Sequence, residues 1–242
     1  IEIDSGQHRT GLLPDDPGVL DCARILSGSA NCELSGTMTH GGHSYDCGNI
    51  AEIKRVAEAE RSAVVMAADA IRGTGLTCPI VSVGSTPTAL HAECLDGVTE
   101  MRPGVYMFGD LFQCSIGSCT LEDLALSVLV SVNAWREDEQ RAMVDAGALA
   151  LSLDRGAPDK NGAHAFGMAA DMNGAPLIGR PRIRQVNQEH GFLMGLRDRP
   201  DIGQRLRILP NHACSTAAQF EVYHIINGDG QIVDRWQRTG GW

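Results

Sequence analysis

Lysine is scarce in this sequence. Of the 20 basic residues in the 242-residue chain, only Lys54 and Lys160 are lysines. The 30 acidic residues outnumber the basic ones, so the formal net charge is -10 at pH 7. Because nucleic acid phosphates bind to cationic surfaces, this charge argues against a nucleic acid partner.

Long hydrophobic segments are also lacking. No run of about 18 apolar residues occurs, so we expect no membrane span, and the first residues do not have the pattern of a signal peptide. The eight cysteines include no Cys-x-x-Cys pair. Scattered cysteines in a chain of this length favour a reduced, cytoplasmic protein, with a local pair between Cys114 and Cys119 as the alternative.

The first part of the chain alternates between strand and helix patterns. A helix is predicted over 51–72, because apolar residues form one stripe and Glu and Arg cover the opposite face. A shorter helix is predicted over 19–26. This alternation is typical of parallel βαβ units and predicts an α/β domain over residues 1–117. Five segments are its predicted strands: 1–4, 34–39, 79–83, 98–101 and 105–108.

The second part, residues 118–242, has mainly strand patterns. The turn sequence Asn-Gly-Asp-Gly at 227–230 predicts a hairpin between the last two strands. A mostly antiparallel β-domain follows from this pattern. The predicted strands are 125–133, 141–145, 148–152, 165–171, 191–196, 205–209, 220–226 and 231–236.

His212 and Cys214 are candidate metal ligands, predicted to lie on the loop after strand 205–209. In an extended segment, residues two apart project from the same face. An imidazole and a thiolate together favour Zn²⁺, and two protein ligands leave positions for water or substrate, as in catalytic sites. The alternative is a core histidine beside an unrelated buried cysteine.

The number of strands in the first domain is low for a closed barrel. We count four or five, whereas a closed parallel barrel needs about eight. The chain also begins at Ile1, inside a predicted strand. We therefore expect the native protein to have further sequence upstream of Ile1.

Ordered motifs along the chain resemble one known family. The chain is similar to the D-serine dehydratase and D-threo-3-hydroxyaspartate dehydratase group of D-threonine aldolase-like enzymes, which use pyridoxal phosphate on an alanine racemase fold. The resemblance implies a partial (β/α)8 barrel followed by a β-domain that holds a metal. The motifs are residues 1–4, 6–11, 39–45, 81–88, 102–106, 145–147, 187–191 and 210–214.

The resemblance also implies a Schiff-base lysine that this chain does not offer. In the family that lysine lies on the first barrel strand. Lys54 falls inside the predicted helix 51–72 and Lys160 falls in a predicted loop, so neither is at a strand end, where a desolvated pocket forms. We expect the lysine to lie outside this chain.

The family's cofactor contacts can be carried over residue by residue. The sequence Gly-Ser-Thr after strand 79–83 also suits a phosphate on its own chemistry, since it offers backbone amides and hydroxyls. By resemblance, Arg9 lies beside the cofactor's phenolic oxygen, His40 against the pyridine face, Tyr45 near the cofactor or its phosphate, Gly84, Ser85, Thr86, Gly104 and Val105 at the phosphate, and Arg102 or its rival Tyr106 at the pyridine nitrogen.

Three of these residues also have an interpretation without a cofactor. Arg9 would then be a surface arginine, His40 a buried histidine satisfied by the neighbouring backbone, and Tyr45 a half-buried ring with its hydroxyl in water.

The function implied by the resemblance is elimination from a small D-amino acid. A His-x-Cys motif resembles the dehydratase branch, whereas aldolases of the group carry His-x-Asp. Gln188 and His190 are candidate substrate contacts, and the fold implies a homodimer. Two alternatives stay open: a metal-dependent aldolase on the same scaffold, and a non-catalytic domain that binds a metal or phosphate.

Overall fold

The structure is a computed structural model that describes residues 1–156 and 163–240. The chain divides into two compact units. The first contains Ile1–Tyr106 and Ile116–Ser118, and the second contains Met107–Ser115 and Cys119–Trp242. Within the residues described, no helix is both long and apolar enough to cross a membrane.

The first unit is built on a parallel sheet with the strand order β1-β2-β3. The segment around Ile3 extends this sheet through a single bridge, Glu2 to Met38, rather than as a regular strand. Two 3-10 helices, Gly42–Asp46 and Val105–Met107, lie in the connections. In chain order the helices and strands are α1 (Gly18–Gly28), β1 (Gly36–Met38), α2 (Ile50–Gly73), β2 (Ile80–Val83), α3 (Thr86–His91) and β3 (Glu100–Met101).

Helix α2 covers the sheet with one apolar face. Asn49 begins it by accepting the backbone N–H of Glu52 at 3.0 Å, which satisfies one of the free amides of the first turn. Val64 and Ile71 are fully buried and share a core with Val81 of β2. Because each such aliphatic side chain contributes about 1.5–3 kcal/mol on burial, this packing fixes the helix against the strands.

The second unit contains a closed antiparallel barrel with the strand order β4-β5-β8-β7-β6-β9. A separate antiparallel hairpin, β10-β11, follows it. A 3-10 helix spans Leu121–Asp123. In chain order the elements are α4 (Leu111–Ser115), β4 (Val128–Arg136), β5 (Arg141–Val144), α5 (Ala148–Leu151), β6 (Gly167–Ala170), β7 (Arg182–Val186), β8 (Gly191–Met194), β9 (Arg205–Pro210), α6 (Ala213–Ala218), β10 (Val222–Ile226) and β11 (Ile232–Gln237).

Strand pairing brings several connections to one end of the barrel. The end of β9 pairs with the starts of β4 and β6. The start of β6 pairs with β7, whose end leads through residues 187–190 into β8. The end of β5, which leads to α5, pairs with the start of β8. Helices α5 and α6 and the β7–β8 turn therefore share this end.

The predicted fold class is confirmed: an α/β portion with a parallel sheet precedes an antiparallel β-barrel in the sequence. Three local predictions were wrong. In place of the predicted strand 148–152, Ala148–Leu151 form helix α5, and the predicted strand 105–108 contains a 3-10 helix, because short apolar runs do not distinguish helix from strand. Strand β7 was missed because only two of its five residues, Ile183 and Val186, are apolar.

Candidate functional site

The candidate cofactor residues of the first unit follow its three strands. His40 comes two residues after β1, Gly84 directly after β2, and Arg102 directly after β3. Because the strands are parallel, these positions lie at the same edge of the sheet. Carboxyl ends of parallel strands are where α/β proteins bind ligands.

The ring of His40 is held by the backbone that follows the next strand. Its Nδ1 lies 2.6 Å from the carbonyl oxygen of Gly84. Since a carbonyl oxygen only accepts, Nδ1 carries the proton in this arrangement and Nε2 is left for other partners. The alternative of a histidine satisfied by neighbouring backbone therefore accounts for one ring nitrogen, and the residue is half-buried rather than buried.

The segment from Gly84 to Thr86 forms a tight cradle. Gly84 has φ +148°, and a Cβ there would lie 2.6 Å from the backbone nitrogen of Arg102, so no side chain fits. The hydroxyl of Ser85 is already bonded, to Ser44 at 3.0 Å and to Thr88 at 2.9 Å. The buried hydroxyl of Thr86 has no hydrogen-bond partner in the described structure. Because buried hydroxyls are normally paired, the Thr86 hydroxyl fits an absent ligand group.

The two arginines of the candidate site have different roles. Arg9 and His40 line the same small cavity of about 10 Å³, and Arg9 also lies 3.6 Å from Glu2. Arg102 instead joins strands, because its Nε donates to the Ser82 hydroxyl at 2.6 Å and a terminal nitrogen donates to the Thr39 carbonyl. Thus Arg9 faces a cavity and Arg102 braces the strand ends.

The other predicted cofactor residues lie on the two 3-10 helices. Tyr45 is half-buried in the first of them, Gly42–Asp46. Val105 is buried, whereas Tyr106 is 59% exposed, and both follow Gly104. Tyr106 therefore has an accessible ring, and the position of Val105 is set by packing.

Glu60 is a site residue that sequence reasoning missed. It lies on α2, is 1% exposed, and accepts the backbone N–H groups of Gly41 at 2.6 Å and Gly84 at 3.1 Å. These glycines flank the strand ends that carry His40 and the Thr86 cradle. A carboxylate thus connects the two loops from behind the sheet edge.

Lys54 is positioned as predicted, away from the strand ends. It lies on α2, and its ammonium group is 2.5 Å from the carboxylate of Glu93. Lys160 lies outside the described residues. The structure therefore provides no lysine at the strand ends within residues 1–156 and 163–240.

The candidate metal ligands lie where β9 turns into α6. His212 is extended and immediately precedes the helix, whereas Cys214 is in its first turn. The prediction that Cys214 lies on a loop was therefore wrong, and a strand-to-helix turn, not strand alternation, brings the two side chains together. Cys214 lies close enough to His212 to affect its proton affinity. The ring Nδ1 of His212 bonds the carboxylate of Asp154 and lies 3.2 Å from the Ser215 hydroxyl.

This environment changes the affinity of His212 for protons. The neighbouring Cys214 side chain raises the pKa of His212 to about 9; burial opposes the shift, and Asp154 adds to it. A metal ion must compete with that proton, because a ligating imidazole is neutral. At neutral pH the ring therefore carries this proton, and binding of a metal must release it.

His212 and Cys214 provide two metal ligands, which do not complete a coordination shell. Among the residues that the structure describes, no group of three or more His, Cys, Asp or Glu side chains is arranged to hold a metal. A nitrogen and sulfur pair with open positions fits a catalytic zinc better than a structural one. Asp154 holds the ring from its other nitrogen, as carboxylates do behind metal-bound histidines.

The candidate substrate residues lie in the β7–β8 turn. Gln188 is exposed and His190 is half-buried. The carbonyl of Gln188 accepts the backbone N–H of Leu149 at 3.1 Å, which ties the turn to α5. This turn and His212 are at the same end of the barrel, as the strand pairing requires.

A cavity of about 330 Å³ in the second unit was not predicted. Its lining includes Cys114, Cys119, Arg182 and Asn211. The two sulfurs are 3.4 Å apart as free thiols. Burial raises the pKa of Cys114 to about 12, so this thiol is protonated and unreactive at neutral pH. None of the predicted site residues lines this cavity.

Comparisons with known proteins agree with the two parts of the fold. The family described as alanine racemase, N-terminal domain, matches residues 1–111, and the putative serine dehydratase domain matches residues 125–226. Together they account for both units of the chain.

Individual relatives are similar along the whole of this chain. The D-threo-3-hydroxyaspartate dehydratase of Delftia sp. (strain HT23) is 45% identical over 251 residues, and the D-serine dehydratase of Dictyostelium discoideum is 34% identical over 258. The chain spans 65% and 64% of their lengths, which is less than two thirds of each.

A solved structure of D-threo-3-hydroxyaspartate dehydratase, a cysteine-to-alanine mutant in the metal-free form, has a TM-score of 0.90 at 44% identity. The match covers 100% of this chain and 65% of that one. With the two adjacent family matches, this similarity confirms the resemblance seen in the motifs: the chain belongs to the D-serine dehydratase and D-threo-3-hydroxyaspartate dehydratase family.

Proposed function

We propose that the protein containing this chain is a pyridoxal phosphate- and zinc-dependent dehydratase of D-3-hydroxy amino acids such as D-serine or D-threo-3-hydroxyaspartate. Its products are a 2-oxo acid and ammonia. The observation that carries the proposal is the position of His212 and Cys214 at the same turn from β9 into α6, which offers one nitrogen and one sulfur and leaves coordination positions open.

Pyridoxal phosphate fits the strand-end edge of the first unit. The unpartnered hydroxyl of Thr86 and the side-chain-free backbone of Gly84 suit a phosphate group, and the backbone amides of Gly104 and Val105 would add donors. The hydroxyl of Ser85 is bonded to Ser44 and Thr88, so Ser85 would contribute to phosphate binding through its backbone rather than through its hydroxyl. When bound, the cofactor supplies an electron sink for reactions at the substrate's α-carbon.

His40 would lie against the pyridine face of the cofactor. Its hydrogen bond to Gly84 restrains the plane of the ring, so the imidazole would contact the cofactor in a fixed orientation. Arg9 would lie beside the phenolic oxygen, since it shares a cavity with His40. Tyr106, with its accessible ring, suits the nitrogen edge better than Arg102, two of whose nitrogens donate to Ser82 and Thr39.

His212 and Cys214 would hold the zinc ion. A Lewis acid at this position stabilises the oxygen of a departing β-hydroxyl, which is otherwise a poor leaving group. Asp154 keeps Nε2 of His212 directed to the metal by bonding Nδ1. A cysteine-to-alanine mutant of D-threo-3-hydroxyaspartate dehydratase has been solved in a metal-free form, which supports our proposal of a metal at Cys214.

The α-proton must be removed by a base that the described residues do not place at the strand ends. Lys54 is paired with Glu93, and Lys160 lies outside the residues that the structure describes. The chain also spans less than two thirds of the length of the two dehydratases compared above. The proposed activity is therefore assigned to the complete polypeptide.

The proposal is tested with D-threo-3-hydroxyaspartate and the complete polypeptide. Cys214→Ala is expected to abolish zinc binding and ammonia release, because one of the two ligands is lost. The control is Cys32→Ala, since Cys32 is an exposed free thiol of the other unit, and this variant should retain both.

Two results would contradict the dehydratase. Ammonia release that is unchanged in Cys214→Ala excludes the metal role of Cys214. Glyoxylate and glycine in place of ammonia show an aldolase.

A further inference from the structure

Helix α2 carries a carboxylate in its buried face. Ile53, Val64 and Ile71 define the apolar stripe of this helix, and Glu60 falls within the same helical spacing. Its side chain is 1% exposed. Burying a carboxylate is costly unless it is hydrogen-bonded, so its partners indicate why a carboxylate occupies this position.

Glu60 accepts two backbone hydrogen bonds through one oxygen. Oε1 accepts the backbone N–H of Gly41 at 2.6 Å and that of Gly84 at 3.1 Å. Gly41 follows β1 and Gly84 follows β2. A Cβ at Gly41 would lie 3.2 Å from the Glu60 carboxylate, so the backbone approaches this side chain closely. One acceptor atom thus fixes the separation of two strand-end loops.

These contacts form a closed ring with His40. Gly84 donates its N–H to Glu60 and accepts Nδ1–H of His40 through its carbonyl oxygen. His40 is joined covalently to Gly41, which donates to Glu60. Movement of either loop therefore changes the position of the carbonyl that orients the His40 ring.

We propose that Glu60 is a positioning residue that sets the tautomer and the orientation of His40 through the backbone of Gly41 and Gly84. Its action on the cofactor rests on the proposed function, because His40 is the residue that would touch the pyridine ring. Its action on His40 itself does not depend on a cofactor. What Glu60 contributes is an acceptor oxygen, not its charge.

The matched variants are Glu60→Gln and Glu60→Met in the complete polypeptide. They have similar size, but only Gln keeps an oxygen at the position of Oε1. The control is Glu58→Gln, which removes a charge from the exposed face of the same helix, where Glu58 pairs with Arg61.

The first measurement is the ¹⁵N NMR spectrum of the His40 ring without cofactor, assigned with His40→Ala. Glu60→Gln and Glu58→Gln are expected to keep Nδ1 protonated. Glu60→Met is expected to give a mixture of tautomers. The second measurement is titration with pyridoxal phosphate, in which Glu60→Met should weaken binding by about tenfold or more, as expected for the loss of buried hydrogen bonds.

The inference is overturned if the His40 signals of Glu60→Met match those of the wild type, or if Glu60→Gln disturbs them as strongly as Glu60→Met. Circular dichroism checks folding; if Glu60→Met does not fold, Glu60→Asp, whose side chain is one methylene shorter, replaces it with the same expected change. If His40→Ala leaves the spectrum of the bound cofactor unaltered, the proposed cofactor contact fails, whereas a tautomer change in Glu60→Met still supports the positioning role.

Discussion

Asp154 holds one ring nitrogen of His212. Because its carboxylate accepts a hydrogen bond from Nδ1, Nε2 is the nitrogen left for another partner. Asp154 and His212 are 58 residues apart in sequence. A carboxylate behind a ligating histidine orients the ring and strengthens it as a ligand.

Asp154→Ala is expected to weaken zinc binding by about 10- to 100-fold without removing a ligand. Competition with a chromophoric chelator measures this affinity. Asp198→Ala, an exposed aspartate in the β8–β9 loop at the other end of the barrel, is the control. Equal zinc affinities of the two variants would exclude a role for Asp154.

Single residues of the site differ in how far the sequence could predict them. His212 and Cys214 have a spacing that can be recognised, and the structure places both at the turn from β9 into α6. Glu60 had a detectable signal, since it is an acid at a buried position of a helical stripe. Asp154 had none, because its contact with His212 depends on barrel closure, which brings distant turns to one end.

At the scale of elements, Asp110 links two short helices. One carboxylate oxygen accepts the N–H of Gln113 in α4 at 2.8 Å, and the other accepts the N–H of Ala213 at the start of α6 at 2.9 Å. The side chain is 2% exposed. Asp110 therefore supports the turn that carries His212 and Cys214.

Burial raises the pKa of Asp110 above its ordinary value of 3.8, although these backbone hydrogen bonds oppose the shift. The folded protein thus binds this proton more tightly than the unfolded chain does. The stability gained from protonation is present below pH 3.8 and is lost as the pH rises through the raised pKa.

Asp110→Asn removes this titration. The melting temperature of the wild type relative to Asp110→Asn is expected to fall as the pH rises from about 4 toward neutrality. Thermal unfolding of both proteins across this range measures the difference. A wild-type advantage that grows with pH would show that the hydrogen bonds outweigh burial.

The elements that were predicted wrongly share a cause. The Ala-Leu-Ala-Leu run of α5 was predicted as a strand, and Cys214 was assigned to a loop, although it lies in α6. Both helices are short, with four and six residues. Such lengths show too little periodicity to be distinguished from a strand or loop, whereas the 24 residues of α2 were recognised.

At the scale of the whole molecule, the order of an α/β part and a β-barrel was predictable from the change in periodicity after about residue 117. The barrel's strand order was not, because β6 pairs with β9 across 34 intervening residues, a pairing that depends on long-range packing. The candidate cofactor and metal residues fall in different units, so their functions can be separated experimentally.

Chelation of the complete protein tests this separation. Removal of the metal with EDTA is expected to stop ammonia release while the visible absorbance of the bound cofactor persists, since the ligands of the two groups belong to different units. Added Zn²⁺ should restore the activity. Loss of the cofactor absorbance together with the metal would contradict separate sites.

The most direct test of the account is the X-ray absorption spectrum of zinc bound to the complete protein. Ligation by His212 and Cys214 predicts one sulfur at about 2.3 Å and one imidazole nitrogen at about 2.0–2.1 Å, with oxygen ligands completing the shell. The sulfur should disappear in Cys214→Ala. A first shell of nitrogen and oxygen alone in the wild-type protein would contradict the central claim that this pair holds the metal.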